Sequence, residues 1–173
     1  MFVRKKPEEL DRAPAAAMLT LPGHPVVVIL DNVRSMHNVG SAFRTCDAFP
    51  VEALYLCGYT PVPPHRDIHK TALGATETVR WQHFPDAHSA ALAARDAGYR
   101  IAAVEQAHGS VPLQAFSWDR QTPLALVFGN EVGGVSDAVL QLAEDCIEIP
   151  QWGAKHSLNI SVSIGVVLWE LVR

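Results

Sequence analysis

The sequence predicts a single α/β domain with a mostly parallel sheet and helices on both faces. Short runs of consecutive apolar residues alternate along the chain with helical patterns, the signature of parallel strands joined by crossover helices. The runs are rich in Val, Ile and Leu, as expected of strands covered on both faces. A chain of 173 residues that is 49% hydrophobic can bury one sizeable core and is too short for two ordinary domains.

Residues 1–25 are polar, then rich in Ala and Pro, and are expected to form an arm leading into a domain over 26–173. Val26–Leu30 is the first strand: five apolar residues, four of them β-branched. Ala53–Cys57, Arg100–Val104, Leu124–Phe128 and Cys146–Ile149 are expected to be strands on the same grounds. Helical patterns lie between them at Gly40–Ala48, at His88–Ala97, which Gly98 closes, and at Ser136–Ala143. Gly58–Lys70 holds three prolines, so it cannot be regular throughout and is expected to be a shaped loop. Leu158–Val172 is apolar on nearly every side until Glu170. Such a helix must be covered all round, and in so small a protein a second subunit is the simplest cover.

Composition narrows the class. Cys46, Cys57 and Cys146 are scattered without a CxxC pair, which indicates neither a disulfide framework nor a cysteine zinc site and fits a reduced, cytoplasmic compartment. No apolar run approaches the roughly 18 to 20 residues needed to span a bilayer, and the start of the chain has no secretory pattern, so no membrane partner is expected. The histidines lack metal-ligand spacing, and no metal is expected. The formal charge of −4 argues mildly against a nucleic-acid partner, but it is unevenly spread: residues 1–100 carry 11 Lys/Arg against 10 Asp/Glu, and residues 101–173 carry 3 against 8. Arg34, Arg44, Arg66 and Lys70, with His37, His65 and His69, either line a positive groove or form a solvated face.

Three segments end apolar runs with polar and glycine residues: Asn32–Thr45, Phe128–Gly134 and Ile149–Gly165. In open α/β sheets ligands bind at the carboxyl ends of strands, so the three exits suggest one composite pocket. In the first, Asn38 or Ser41 is a plausible cap for a helix carrying Arg44, which reads as an anion or ribose site or as a capped helix with a surface arginine. In the second, glycines at 129, 133 and 134 permit close backbone approach, and Glu131 is either a cap for the helix near Ser136 or a polar contact in a pocket. In the third, Ile149-Pro150 stops a strand, Gln151–His156 makes a loop, and Ser157 and Asn159 open the apolar helix; a cap role for Ser157 leaves Asn159 and Ser161 without partners. GxGxxG, P-loop and GxSxG patterns are absent.

Taken together, the segments resemble motifs 1, 2 and 3 of the SpoU/TrmH family of RNA ribose 2′-O-methyltransferases, in the SPOUT superfamily, over about residues 26–173. Motif 1 resembles Asn38-x5-Arg44 with Gly40 and Ser41, motif 2 Gly129-x-Glu131 with Gly133 or Gly134, and motif 3 Ile149-Pro150 followed by Ser157-Leu158-Asn159-x-Ser161. The resemblance implies a C-terminal trefoil knot, a threading that general topology rules exclude. It implies S-adenosylmethionine as cofactor, bound by the loops at Val104–Gly109, Phe128–Gly134 and Ile149–Leu158, with Val104, Glu105, Gly109, Gly129, Ile149, Ser157 and Leu158 as cofactor-binding residues. It implies a homodimer packed through the last helix.

The resemblance further implies Arg44, Asn38, Glu131, Ser157 and Asn159 as catalytic residues and Arg34, Arg44, Arg66 and Lys70 as RNA contacts. The RNA is expected to be tRNA, with rRNA the alternative and a non-catalytic RNA-binding relative the reading from another class. Two features depart from the family pattern. Many members carry an additional RNA-binding domain or basic extension where this sequence has only Arg4, Lys5 and Lys6, and Glu105 stands where an apolar residue is common.

Overall fold

A computed structural model describes residues 2–10, 12–155 and 157–173. Seven strands form one sheet: β1 (His24–Asp31), β2 (Val51–Cys57), β3 (Trp81–Phe84), β4 (Arg100–Val104), β5 (Val111–Pro112), β6 (Leu124–Gly129) and β7 (Asp145–Glu148). Their order is β3-β2-β1-β6-β4-β7-β5, and every pairing between neighbours is parallel. The helices are α1 (Ala15–Met18), α2 (Met36–Ala48), α3 (Arg66–Ala72), α4 (Ala87–Asp96), α5 (Asp137–Leu142) and α6 (Ile160–Val172).

The sheet is covered on both sides. Along β1, Val26, Val28 and Leu30 face a cluster built with Phe43, Ile68 and Ile164, from α2, α3 and α6. Val27 and Ile29 face a second cluster with Ala90, Ala94 and Val139, from α4 and α5. Because successive strand side chains alternate between faces, a strand with two apolar layers to fill must be apolar at every position. All five residues of Val26–Leu30 are at most 1% exposed.

The elements extend or shift the expected ones for identifiable reasons. β1 starts two residues before Val26 because His24 donates its backbone N–H to Pro50. β3 and β5 are additional strands at the two edges, short and largely exposed, so they carry no apolar run. The proline-rich stretch is irregular only through His65, after which α3 begins. Within the arm, a 3-10 turn at Pro7–Glu9 and α1 precede β1.

The starts of α2, α3, α4 and α6 are set by side-chain caps. Ser35, rather than Asn38 or Ser41, caps α2: its hydroxyl accepts the N–H of Asn38 at 3.3 Å. Asp86 caps α4 by accepting from Ser89 at 2.7 Å, and those bonds hold its carboxyl below the usual aspartate range. Asn159, rather than Ser157, caps α6, accepting the N–H of Ser161 at 2.9 Å.

α2 and α3 pack in close contact at Gly40. A Cβ there would overlap the Thr71 hydroxyl and the Ile68 carbonyl, so only glycine fits. Thr71 Oγ1 donates to the carbonyl of His37 at 3.0 Å across the same contact. Gly40→Val should therefore lower the unfolding free energy by about 2 kcal/mol, as overpacking does. Urea denaturation should show an earlier midpoint at unchanged slope, and an unchanged midpoint would refute the tight contact.

Candidate functional site

β1 and β6 are central neighbours in the sheet and end side by side, with Asp31 paired in register with Gly129. Asp31 is 2% exposed and links the β1 exit to the start of α5 at that point. Its carboxylate accepts the Asn32 side-chain amide at 2.9 Å and the Ser136 N–H, at the start of α5, at 2.8 Å. Asn32, at φ +55, accepts the Tyr59 N–H at 3.0 Å and so joins the β1 exit to the β2 exit. The buried Thr60 hydroxyl reinforces that join, accepting the Val33 N–H at 3.0 Å and donating to the Cys57 carbonyl at 2.7 Å. A buried carboxylate is retained at such a position because each of its bonds is made.

The Phe128–Gly134 segment leaves β6 as a tight turn. Asn130 and Gly134 exchange both backbone hydrogen bonds, at 3.2 and 3.1 Å. The Asn130 side chain accepts from Val132 at 2.9 Å and from Gly133 at 2.7 Å, closing an Asx turn. A Cβ on Gly129 would overlap the Gly134 backbone, which explains the glycine there. Glu105, at the β4 exit, completes the turn by accepting the Val135 N–H at 2.9 Å and the Gln106 N–H at 2.8 Å. Its carboxylate lies against Gly134, which has φ +66. Glu131 does not cap α5.

Instead Glu131 accepts from the Asn38 side-chain amide at 2.7 Å, while the Asn38 amide oxygen accepts from the Asn159 side chain at 3.1 Å. Asn159 in turn accepts from the Ser161 N–H at 2.9 Å and the Ser161 hydroxyl at 2.6 Å. The direction of this chain is fixed at both ends, since an ionised carboxylate only accepts and a backbone N–H only donates. Three of the sequence-predicted residues, from three strand exits, are thereby brought into one network.

Beside the network lies a cavity of about 370 Å³. It is lined from the β4 exit by Val104, Glu105 and Gln106, from β6 by Phe128–Gly129 and the following turn, and from the third segment by Ile149, Gln151, Ser157 and Leu158. Gly109 is not among the lining residues; it sits at φ +86 in the turn before β5. His156, expected in the loop before α6, lies outside the described residues. Ile160 and Ser163, on the first turns of α6, also line the cavity. Sequence reading did not single them out, although Ser163 stands four residues beyond Asn159 and so shares its helix face.

The expected cations are placed elsewhere. Arg44 is exposed on α2, outside the cavity, and makes no hydrogen bond or ion pair among the described residues. Arg34 is likewise exposed, between β1 and α2. Arg66 and Lys70 lie on α3 beside a second cavity, where Lys70 is paired with Asp67 at 2.6 Å. Among the described residues no three His, Cys, Asp or Glu side chains are grouped to hold a metal. Burial raises the thiol pKa of all three cysteines, that of Cys57 to about 12, so they are poor nucleophiles. No described helix is long and apolar enough to cross a membrane.

Fold and site together define a ligand-binding α/β domain whose pocket is assembled from adjacent strand exits rather than from a glycine-rich phosphate loop. The chain belongs to the SpoU rRNA Methylase family, whose profile matches residues 25–169. Among curated relatives, it is 32% identical over 148 residues to the tRNA (guanosine(18)-2′-O)-methyltransferase of Thermus thermophilus, covering 86% of this chain and 74% of that one. It is 29% identical over 174 residues to the 23S rRNA (guanosine-2′-O-)-methyltransferase RlmB of Vibrio vulnificus, covering 100% and 69%. Among solved structures, the AdoMet-bound rRNA methyltransferase from Sinorhizobium meliloti superimposes with a TM-score of 0.79 at 26% identity over 88% of this chain, which spans 58% of that one. The A. aeolicus TrmH/SpoU tRNA modifying enzyme superimposes with a TM-score of 0.78 at 29% identity, covering 90% and 78%.

Glu105 holds two loops of the cavity through charge-assisted bonds. Glu105→Ala should speed hydrogen exchange at the Val135 amide roughly tenfold, the effect of losing one such bond. Exchange mass spectrometry showing wild-type protection there would refute the bracing role.

Proposed function

We propose that this chain transfers a methyl group from S-adenosylmethionine to a ribose 2′-hydroxyl of RNA. The observation that carries this reading is the Asn38–Glu131–Asn159 network standing beside the cavity at the β4, β6 and β7 exits. The cavity suits the donor in size and chemistry. At about 370 Å³ it is on the scale of small-molecule sites, with apolar walls from Val104, Phe128, Ile149 and Leu158 for an adenine ring and backbone groups of the turn for its polar edge. Glu105 and Glu131 add negative charge near a cationic ligand. Gly129, Ile149 and Leu158 form part of that binding site in this reading.

Bound there, the donor would supply a methyl carbon on positively charged sulfur, and its transfer to the ribose oxygen would release the neutral thioether and the hydroxyl proton. The protein's work is positioning and charge. Asn38, held between Glu131 and Asn159, fixes the first turn of α2 relative to the cavity. Ser157, exposed at the cavity edge, offers a hydroxyl to the incoming ribose. Arg44 anchors the target phosphate and stabilises the developing alkoxide; its guanidinium stays protonated and does not act as the base. Arg34, Arg66 and Lys70, all exposed, extend the RNA contact in this reading.

Arg44 lies six residues beyond Asn38, about 9 Å of helix rise. We therefore read the site as shared between two copies of the chain. Support comes from α6, where Val162, Val166 and Trp169 are 50, 39 and 58% exposed in one stripe. The opposite side of that helix is buried, and Trp169 packs on Phe49 beside α2 with ring centroids 6.0 Å apart. A homodimer through this stripe covers the exposed face.

In this reading residues 26–173 are the methyltransferase domain and 1–25 an arm preceding it. The segment from β6 onward is tied in a trefoil knot, which agrees with β6 lying between the earlier strands β1 and β4. The substrate is tRNA, in keeping with the slightly higher identity to the tRNA enzymes, and the reaction takes place in the cytoplasm. Mapping ribose methylations lost from total RNA of a strain lacking the gene distinguishes tRNA from rRNA.

The protein should bind S-adenosylmethionine or S-adenosylhomocysteine in calorimetry. Arg44→Ala should keep that binding while losing on the order of 3 kcal/mol of transition-state stabilisation, more than a hundredfold in single-turnover methyl transfer to unmodified RNA. Arg44→Lys should recover little, because an ammonium does not reproduce the planar fork. Absent donor binding would refute the enzymatic reading, and wild-type rates in Arg44→Ala would refute the role of Arg44.

Trp169→Glu should convert the dimer to monomer in light scattering at micromolar concentration. A wild-type protein that is itself monomeric would refute the shared site.

A further inference from the structure

We propose that the cavity between the Pro63–Pro64 turn, α3 and the start of β3 is a second nucleotide subsite. It takes an unpaired base of the RNA near the methylated one, with Trp81 as stacking platform and Arg66 as phosphate anchor. The inference rests on the RNA reading above but concerns a different part of the molecule.

The cavity measures about 710 Å³ and is open to solvent, with Ile68 and the proline rings as apolar lining. Trp81, at the start of the edge strand β3, is 36% exposed and lines the cavity. It is nevertheless held: its ring meets Phe43 edge to face, centroids 6.3 Å apart at 85°, and Phe43 is fully buried. An aromatic surface pinned from below and exposed above loses little entropy when a flat ligand stacks on it, which is how proteins take up single-stranded bases.

Charge selects the ligand further. Lys70 is committed to Asp67 at 2.6 Å, and that pairing holds the Asp67 carboxyl below the usual aspartate range. Arg66 is exposed and makes no hydrogen bond or ion pair among the described residues, so its planar fork is available to a phosphate. The His65 Nδ1 accepts the Asp67 N–H at 3.2 Å, which leaves Nε2–H as a donor. Glu77, across the cavity, only accepts, matching the amino edge of a base. A flat ring, one uncommitted guanidinium and an acceptor carboxylate together suit a nucleotide.

The position is also suitable. α3 is braced against α2 by the Thr71 bond to His37, the residue before Asn38, and by the close contact at Gly40, which joins the cavity wall to the helix that carries Asn38. RNA held on α3 is thereby presented to the first turn of α2.

The test uses the full-length protein and total RNA from a strain lacking the gene, which contains undermethylated tRNA and rRNA alike. Ultraviolet crosslinking followed by mass spectrometry should place RNA on peptides containing Arg66 or Trp81. In single-turnover methyl transfer, Arg66→Glu and Trp81→Leu should each raise the half-saturating RNA concentration about tenfold. The maximal rate and the affinity for S-adenosylhomocysteine should stay within about twofold, a split that a general loss of structure does not produce. Arg66, exposed and unpartnered, carries the test if Trp81→Leu fails to fold. Wild-type RNA affinity in Arg66→Glu, or crosslinks confined to other peptides, would overturn the proposal. Crosslinks at Trp81 without any methyl transfer by the wild-type protein would support the subsite and overturn the enzymatic reading.

Discussion

The arrangement of the site depends on one side-chain amide. Asn38 donates its side-chain N–H to Glu131, 93 residues away, and its amide oxygen accepts from Asn159, 121 residues away. No smaller polar side chain has both a donor and an acceptor on opposite arms of one plane, so no smaller side chain joins the three strand exits simultaneously. The bonds are near the surface, and each contributes only about 1 kcal/mol to stability. Their value is geometric: they set where the first turn of α2, the turn after β6 and the start of α6 stand relative to one another.

That geometry is possible because Ser35 caps α2. With the cap supplied one residue before the helix, the Asn38 side chain is free to reach across to other segments, while its backbone N–H is satisfied by Ser35. The same economy appears at α6, where Asn159 caps its own helix and donates to Asn38 with the other side of its amide. Below them, Asp31 holds the strand ends together from inside, so the exposed network stands on a buried one. Catalytic or binding precision on loops requires such a support, because loop backbone by itself is mobile.

The interior of this fold was legible because a strand covered on both faces has no choice of composition. Val26–Leu30 and Leu124–Phe128 announce themselves as unbroken apolar runs, and Arg100–Val104 has the bounds expected of it. The edge strands were not legible, since Trp81–Phe84 carries Gln82 and His83 and Val111–Pro112 is two residues long. Caps were misplaced because Ser35, Asn38 and Ser41 are all good capping residues, and only the backbone conformation chooses among them. At the site, the motifs brought together Asn38, Glu131 and Asn159, but spacing along the chain carried no sign that Arg44 would stand apart from the cavity. A helix distributes residues around its axis, and six positions turn the side chain well away from Asn38. Nor did the departure at Glu105 announce its partners, which are backbone groups of a turn 30 residues on.

Net charge is a poor guide to this protein because the two proposed ligands have opposite charge. The acidic C-terminal part supplies Glu131 to the cavity wall, joined there by Glu105 at the β4 exit, a setting that favours a cationic donor over an anion. The four cations proposed for RNA are found instead on the elements after β1 and β2: Arg34 and Arg44 before and within α2, and Arg66 and Lys70 on α3. In the proposed reaction, an RNA phosphate approaching these residues would meet cations first and be kept from the donor cavity by repulsion from the carboxylates. The neutral ribose hydroxyl would cross the boundary between the two fields at lower electrostatic cost than a phosphate. In the proposed reaction, this separation of charge along the surface would do part of the orienting of the RNA. An overall charge of −4 is compatible with RNA binding provided that the separation is kept.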